Sequence, residues 1–205
     1  EQARSLRERG VALSTVGTHV SGAPSVFVDD VGVGTMAARI LVELGHRRIG
    51  LISGSGDDPL NFEVPKLRER GFVDELESVD ITLDPTLVAG GNFSIDGGQE
   101  AMASLLDTAE PPTAVFAMSD EMAFGALLEL DARNLVAGID ISVIGVDDHE
   151  FARVVGLSTI RQLVASQGAV AARSLLSALR REEVPSRPTI SPVELVLRST
   201  TGPPR

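Results

Sequence analysis

The sequence predicts an α/β fold built on a doubly wound, mostly parallel sheet, and three observations lead there. Short continuous apolar runs recur, IGLIS at 49–53, TAVFAMS at 113–119 and ISVIGVDD at 141–148, each with the length of a strand buried on both faces. Between them lie segments with apolar residues at helical spacing, so strands and helices alternate, and that order implies right-handed crossovers in a parallel sheet. Each run also closes on Gly, Ser or Asp, residue types that suit the place where a parallel strand ends and opens into a ligand crevice.

Taken in order, Glu1 to Arg9 reads as a charged helix stopped by Gly10, VALSTV as a strand, GTHVSGAPS as a loop and SVFVDD as a short strand. Val33 to Leu44 forms a helix with Met36, Ile40, Leu41 and Leu44 on one face, capped by Asp29 or Asp30 and ended by Gly45. After IGLIS, GSGDDP reads as a flexible loop. Pro65 suits the first turn of a helix that runs to about residue 78 with Leu67, Gly71, Phe72 and Leu76 as its stripe. TLVAGG is the next strand. Ile95 to Leu106 is helical, and Pro111 and Pro112 forbid its continuation. Glu121 to Ala132 follows as a helix with Ser119 as cap, its Met122, Leu127, Leu128 and Leu130 most simply forming core. Beyond ISVIGVDD come a loop to Leu157, an extended STIRQ and a helix from about Val164 to Leu179. RPTISPVELVLR reads as one late strand and TGPPR as a frayed end.

Composition bounds the function. The 205 residues are 43% hydrophobic, enough for a real core, and no apolar run approaches the roughly eighteen residues of a membrane span. With no secretory signal at the start either, a cytoplasmic location is the default expectation. A net charge of −11 argues against these residues gripping DNA, because that affinity comes largely from Lys and Arg on phosphates. Zero Cys excludes disulfides and thiolate chemistry. His19, His46 and His149 lie too far apart for metal-ligand spacing, so no metal and no cofactor are expected.

Four loops converge on the carboxyl edge of the expected sheet: Ser53 to Asp57, Gly90 to Phe93, Ser119 with Asp120, and Asp147 with Asp148. Their hydroxyl, amide and carboxylate groups with one aromatic suit a neutral, hydroxyl-rich ligand such as a sugar or polyol. Plainer readings stand beside this one: Ser119 as a helix cap, Asp120 as a first-turn acid supporting the helix dipole, Phe93 as core, and Arg68 as a solvated helix arginine next to Glu69. GSGDDP lacks the Lys-Ser/Thr ending of a P-loop and the third Gly of a dinucleotide fingerprint. ISGSG lacks the first glycine of a nucleophile elbow, so an enzyme is not expected.

Three segments, LVELGHRRIGLISG, TAVFAMSDEMAFGALLEL and DISVIGVDDHEF with STIRQ following, resemble the effector-binding domain of the lactose-repressor/galactose-repressor family of bacterial transcription regulators, which shares its fold with periplasmic sugar-binding proteins. The resemblance implies a periplasmic-binding-protein-like fold in which the chain begins within the first lobe. Residues 1–29 would be a partial N-terminal lobe, 30–160 a nearly complete C-terminal lobe, 161–188 a crossover helix to the N-terminal lobe, and 189–205 a return strand and tail. By motif, Asp147 matches the family's effector carboxylate and Arg68, in KLRERGF, the arginine that reads effector hydroxyl or carboxylate groups. Phe93 falls at the aromatic position packing on the ligand, Ser119 where Asn is more common, and Gln162 at the end of the hinge-proximal STIRQ. The shorter Ser119 drops an amide donor. Substituting Asp147 or Arg68 by Ala is expected to abolish the effector response and leave the fold intact.

The implied function is effector sensing and dimerisation in a DNA-binding regulator. A sugar or similar small ligand in a cleft between two lobes would control operator affinity, with Glu121 to Ala132 in a C2 homodimer interface and operator DNA read by a headpiece outside this chain. Neither membrane nor catalysis enters. The other reading is a periplasmic-type sugar-binding protein that feeds a transporter.

Overall fold

The apolar runs become strands of two parallel sheets in the computed structural model, which describes residues 5–6, 9–54, 63–184 and 187–205. In chain order the elements are β1 (Thr15–Val16), β2 (Ser25–Val28), α1 (Asp30–Glu43), β3 (Ile49–Ser53), α2 (Val64–Glu77), β4 (Val88–Gly90), α3 (Ile95–Leu106), β5 (Ala114–Ala117), α4 (Asp120–Ala132) and β6 (Ser142–Asp147). Then follow α5 (Ala152–Val155), β7 (Ser158–Gln162), α6 (Val164–Leu179), β8 (Thr189–Ser191) and β9 (Val193–Val196). The chain divides into two compact units, residues 1–29 with 162–193, and residues 30–161 with 194–205.

In the smaller unit, β1, β2 and β8 lie in that order as a parallel sheet, with α6 against β1 and β2. The larger unit holds the sheet order β4-β3-β5-β6-β7-β9. Its first five strands pair in parallel, with Leu51 between Val88 and Phe116, and Val115 opposite Val143. The path steps from β3 outward to β4, then crosses back over β3 to β5. With right-handed crossovers that reversal puts α2 and α3 on opposite faces and opens a crevice beyond the carboxyl ends of β3 and β5. The doubly wound expectation is met.

Both faces of these strands are apolar because both are covered. Leu51, Ile52, Val115, Phe116, Val143 and Ile144 are completely buried, against Leu41, Phe72, Leu76, Met102, Leu105, Met122 and Leu130 from the helices. The rings of Phe72 and Phe116 lie 5.1 Å apart, a tilted pair joining α2 to β5. The helices meet each other at glycines. A Cβ on Gly71 of α2 would stand 1.9 Å from the Val31 carbonyl oxygen of α1, and one on Gly34 would stand 1.9 Å from the Arg68 carbonyl oxygen. The two backbones therefore touch, which fixes where α2 delivers its side chains.

Three expectations need correction. The late strand is two strands in two different sheets, β8 and β9, separated by Pro192, which has no N–H to give to a ladder. The loop to Leu157 contains the short helix α5, ended by Gly156 at φ 70°. The tail is not frayed. The Val143 N–H donates to the Thr200 carbonyl at 2.7 Å, the Thr200 hydroxyl donates to the Val143 carbonyl at 2.8 Å, and the Ser158 N–H donates to the Thr200 hydroxyl at 2.9 Å. The buried His46 completes this seam. Its Nε2 donates to the Gly202 carbonyl at 2.8 Å and its Nδ1 lies 2.9 Å from the Thr113 hydroxyl. Burial holds this imidazole below its usual pKa, the Gly202 bond opposing.

Candidate functional site

The site is built at the carboxyl edge of the six-stranded sheet, where each strand hands over one or two residues. After β3 comes Gly54, after β4 Phe93, after β5 Met118 and Ser119, at the end of β6 Asp147, and at the end of β7 Gln162. Asn92 and Phe93 both have φ 51°, a left-handed turn that folds the phenyl ring back over Gly54. A Cβ on Gly54 would stand 2.2 Å from Cε2 of Phe93 and 2.9 Å from Cγ of Pro65. Phe93 is 40% exposed, so it stands at the edge and is not core. The rest of GSGDDP, Ser55 to Pro59, lies outside the described residues.

Arg68 is not a solvated arginine, for it is buried. It leaves α2 toward the sheet, its Nε donating to Oδ1 of Asp30 at 2.9 Å and its Nη1 to the Met118 carbonyl oxygen. The cap and ligand readings of Ser119 coincide in place. Its buried hydroxyl accepts the Met122 N–H at 3.3 Å as the N-cap of α4, on an extended backbone immediately after the carbonyl that holds Arg68. The structure thus brings Arg68 and Ser119 to the end of β5, beside the β3 end where Phe93 sits.

Asp147 lies two strands from β3, in register with Arg161 on β7. Its φ of 120° and the φ of 56° at Asp148 are left-handed values at consecutive non-glycine residues, a strain held in place by what surrounds it. Asp148 supplies the hold. Its Oδ2 accepts Arg161 Nε at 2.7 Å and its Oδ1 accepts Arg198 Nη2 at 2.6 Å, while Arg161 Nη1 also reaches Glu194 at 2.9 Å. Burial works to raise the Asp148 pKa, yet the bonds from Arg198 and Arg161 outweigh it and leave the carboxyl below its usual value. Asp148 is therefore an ionised anchor that fixes the turn presenting Asp147. Gln162, the residue after Arg161, ends β7 and is the first residue of the chain's return to the smaller unit.

Asp120 follows Ser119 on this edge, as expected, and its plainer reading is a helix-dipole acid in the first turn of α4. Asp120 is completely buried, its Oδ1 accepting the Thr159 hydroxyl at 2.6 Å and its Oδ2 the His149 N–H at 2.7 Å. The glycine of ISVIGVDD makes the space, since a Cβ on Gly145 would stand 2.3 Å from Oδ1. Burial pushes the Asp120 carboxyl up to about 7, against the bonds from Thr159 and His149, with Asp147 and Asp148 adding like charge. The space for its burial is marked in the sequence by one strand glycine, Gly145, 25 positions downstream. Among the described residues no cluster of His, Cys, Asp and Glu is placed to hold a metal ion, and no helix is long and apolar enough to cross a membrane.

A buried arginine, a half-exposed phenylalanine and strand-end carboxylates thus share one edge of a parallel α/β sheet of the periplasmic-binding type. Residues 38–201 match the periplasmic binding protein-like domain family, and the chain belongs to that family. Over 180 residues it is 36% identical to the HTH-type transcriptional repressor CytR of Escherichia coli (strain K12), which covers 87% of this chain and 52% of the repressor. A LacI transcriptional regulator from a Rhodococcus species matches at 30% identity with a TM-score of 0.85, over 98% of this chain and 73% of that one. A LacI family transcriptional regulator from Enterococcus faecium, solved with bound ribose, matches at 28% identity with a TM-score of 0.88, over 99% and 75%. These relatives are named as transcription regulators and not as enzymes. The chain spans about half the length of the curated relatives it matches.

Proposed function

We propose that this chain is the effector-sensing and dimerising part of a bacterial DNA-binding transcription regulator, and that its ligand is a sugar or a similar small polar molecule. The observation that supports this most directly is the buried guanidinium of Arg68 at the Met118 carbonyl, at the switch point of the sheet where ligands of open α/β folds bind. In this reading Arg68 and Ser119 bond ligand oxygens, Phe93 packs on an apolar ligand face, and Asp147 and Gln162 take further hydroxyls. The bound ribose of the Enterococcus faecium neighbour supports the ligand class, and the repressor names of the relatives favour a regulator over a transporter-linked binding protein.

Operator DNA is read by a headpiece outside this chain, in the cytoplasm, and the regulator acts as a homodimer. The cluster of half-buried Phe124 and His149 with exposed Phe151, its ring centroids 5.8 Å apart edge-on and 5.3 Å apart stacked, supplies an aromatic patch for α4 and α5 to pair about a twofold axis. The ligand acts by binding one conformational state better than another, a coupling of about 1–3 kcal/mol between effector and operator.

The test is calorimetry of the full regulator with ribose, other monosaccharides, nucleosides and polyols, followed by operator binding with and without the ligand found. Asp147→Ala is expected to lose the ligand effect on operator affinity. An Asp147→Ala regulator that responds like wild type overturns the assignment of the site.

A further inference from the structure

The charge of Arg68 is matched inside the protein. Nε bonds Oδ1 of Asp30 at 2.9 Å, with the two side chains 6% and 9% exposed, and Nη1 bonds the Met118 carbonyl oxygen. Asp30 comes from a different element, 38 positions earlier, as the first residue of α1, where the helix amino end favours an ionised carboxylate. Gly34 and Gly71 let α1 and α2 approach until their backbones touch, and this places Asp30 within reach of Arg68.

That pairing changes what the arginine can recognise. A guanidinium with no internal counter-charge offers a planar fork to phosphate or carboxylate and binds either by two parallel charge-assisted bonds. Here one tine already holds a carboxylate. A second anion would arrive beside Asp30 in surroundings that salt screens poorly, so like-charge repulsion offsets what the guanidinium offers. Nη2 makes no bond to a described residue, and its protons remain for an uncharged oxygen.

We infer that Asp30 sets the charge class of the effector: it neutralises Arg68 within the site, leaving it for hydroxyl and carbonyl oxygens and turning away phosphate and carboxylate groups. This rests on Arg68 being an effector contact, as proposed above, and it adds a specificity residue on α1 that touches no ligand itself.

The experiment compares binding of inorganic phosphate to the wild-type chain, to Asp30→Asn and to Asp30→Asn/Arg68→Met, by calorimetry at fixed ionic strength. Asn keeps an oxygen for the arginine Nε and removes only the charge. Asp30→Asn is expected to bind phosphate about tenfold more tightly than wild type, the scale of one bond to a charged group, and the double variant to lose that gain. Equal phosphate affinity in wild type and Asp30→Asn overturns the inference, and so does a gain that persists without Arg68. Should Asp30→Asn fail to fold by circular dichroism, Asp30→Ser removes the same charge and is read the same way. Phosphate reports on Arg68 whatever ligand the regulator senses. A wild-type protein that answers no sugar, nucleoside or polyol would therefore sink the sensor reading independently of the phosphate result.

Discussion

The Thr159 hydroxyl donates to Oδ1 of Asp120 at 2.6 Å across 39 positions of sequence, tying the start of α4 to the middle of β7 through a carboxylate with no exposed surface. Its pKa of about 7 stands above the usual 3.8, so between those values the folded chain holds a proton that the unfolded chain has released. Asp120 thus contributes stability that is fully present below about pH 4 and lost as pH rises through 7, with a slope of at most ~1.4 kcal/mol per pH unit. Asp148 and His46 act in the opposite sense. The low pKa of Asp148 contributes stability that is present above 3.8 and lost as pH falls, and the low pKa of His46 contributes stability that is present above 6.5 and lost below it. The difference between wild type and Asp120→Asn isolates Asp120. Urea denaturation from pH 4 to 8 should show Asn gaining on wild type as pH rises, and parallel curves would refute this.

Arg68→Ala should cost about 3–5 kcal/mol, because it strands the buried Asp30 carboxylate. The expectation that this substitution leaves the fold intact is thereby revised. Removing both partners should be milder than removing Arg68 alone, and a double-mutant cycle by chemical denaturation measures the difference. Additive losses would mean that the two side chains do not interact.

Gly71→Ala should destabilise by at least ~1–3 kcal/mol, since the new methyl collides with backbone at Val31 and no flexible side chain can yield. The same displacement moves Arg68 away from Met118. Ligand response should therefore weaken along with stability, and a variant as stable as wild type by thermal denaturation would contradict the packing described.

Asp147→Gly should stabilise the chain by about 1 kcal/mol, because glycine accepts a φ of 120° without steric penalty. It should also remove the effector response. A gain in melting temperature with loss of function would mark strain kept for binding, whereas a lower melting temperature would show that the aspartate carboxylate contributes more than its backbone costs.

Much of this was legible in sequence because it is local. IGLIS and the helix Ile95–Leu106 are legible from their own apolar spacing and the glycines and prolines near their ends, the helix Val164–Leu179 from its spacing alone, and Ser119 as a cap from its position before a helical stripe. What stayed hidden is pairing at long range. Apart from the family resemblance, nothing in KLRERG marks Arg68 as buried, because its counter-ion Asp30 sits on another helix and the space between them is made by Gly34 and Gly71. Gly145 likewise reads as an ordinary strand glycine until Asp120 is seen against it. TGPPR looked frayed because its bonds go to Ser142, Ser158 and His46, residues far upstream with no local mark of it.

That tail bears on the order in which the chain can finish folding during synthesis. Thr200 and Gly202 supply partners for polar groups of β6, β7 and His46 that are otherwise shut away from water. Until residues 198–202 have been made, the amino edge of the larger sheet has donors and acceptors with nothing to bind. The strands can collapse early, but the cooperative, slowly exchanging core is completed only when residues 198–202 close that seam.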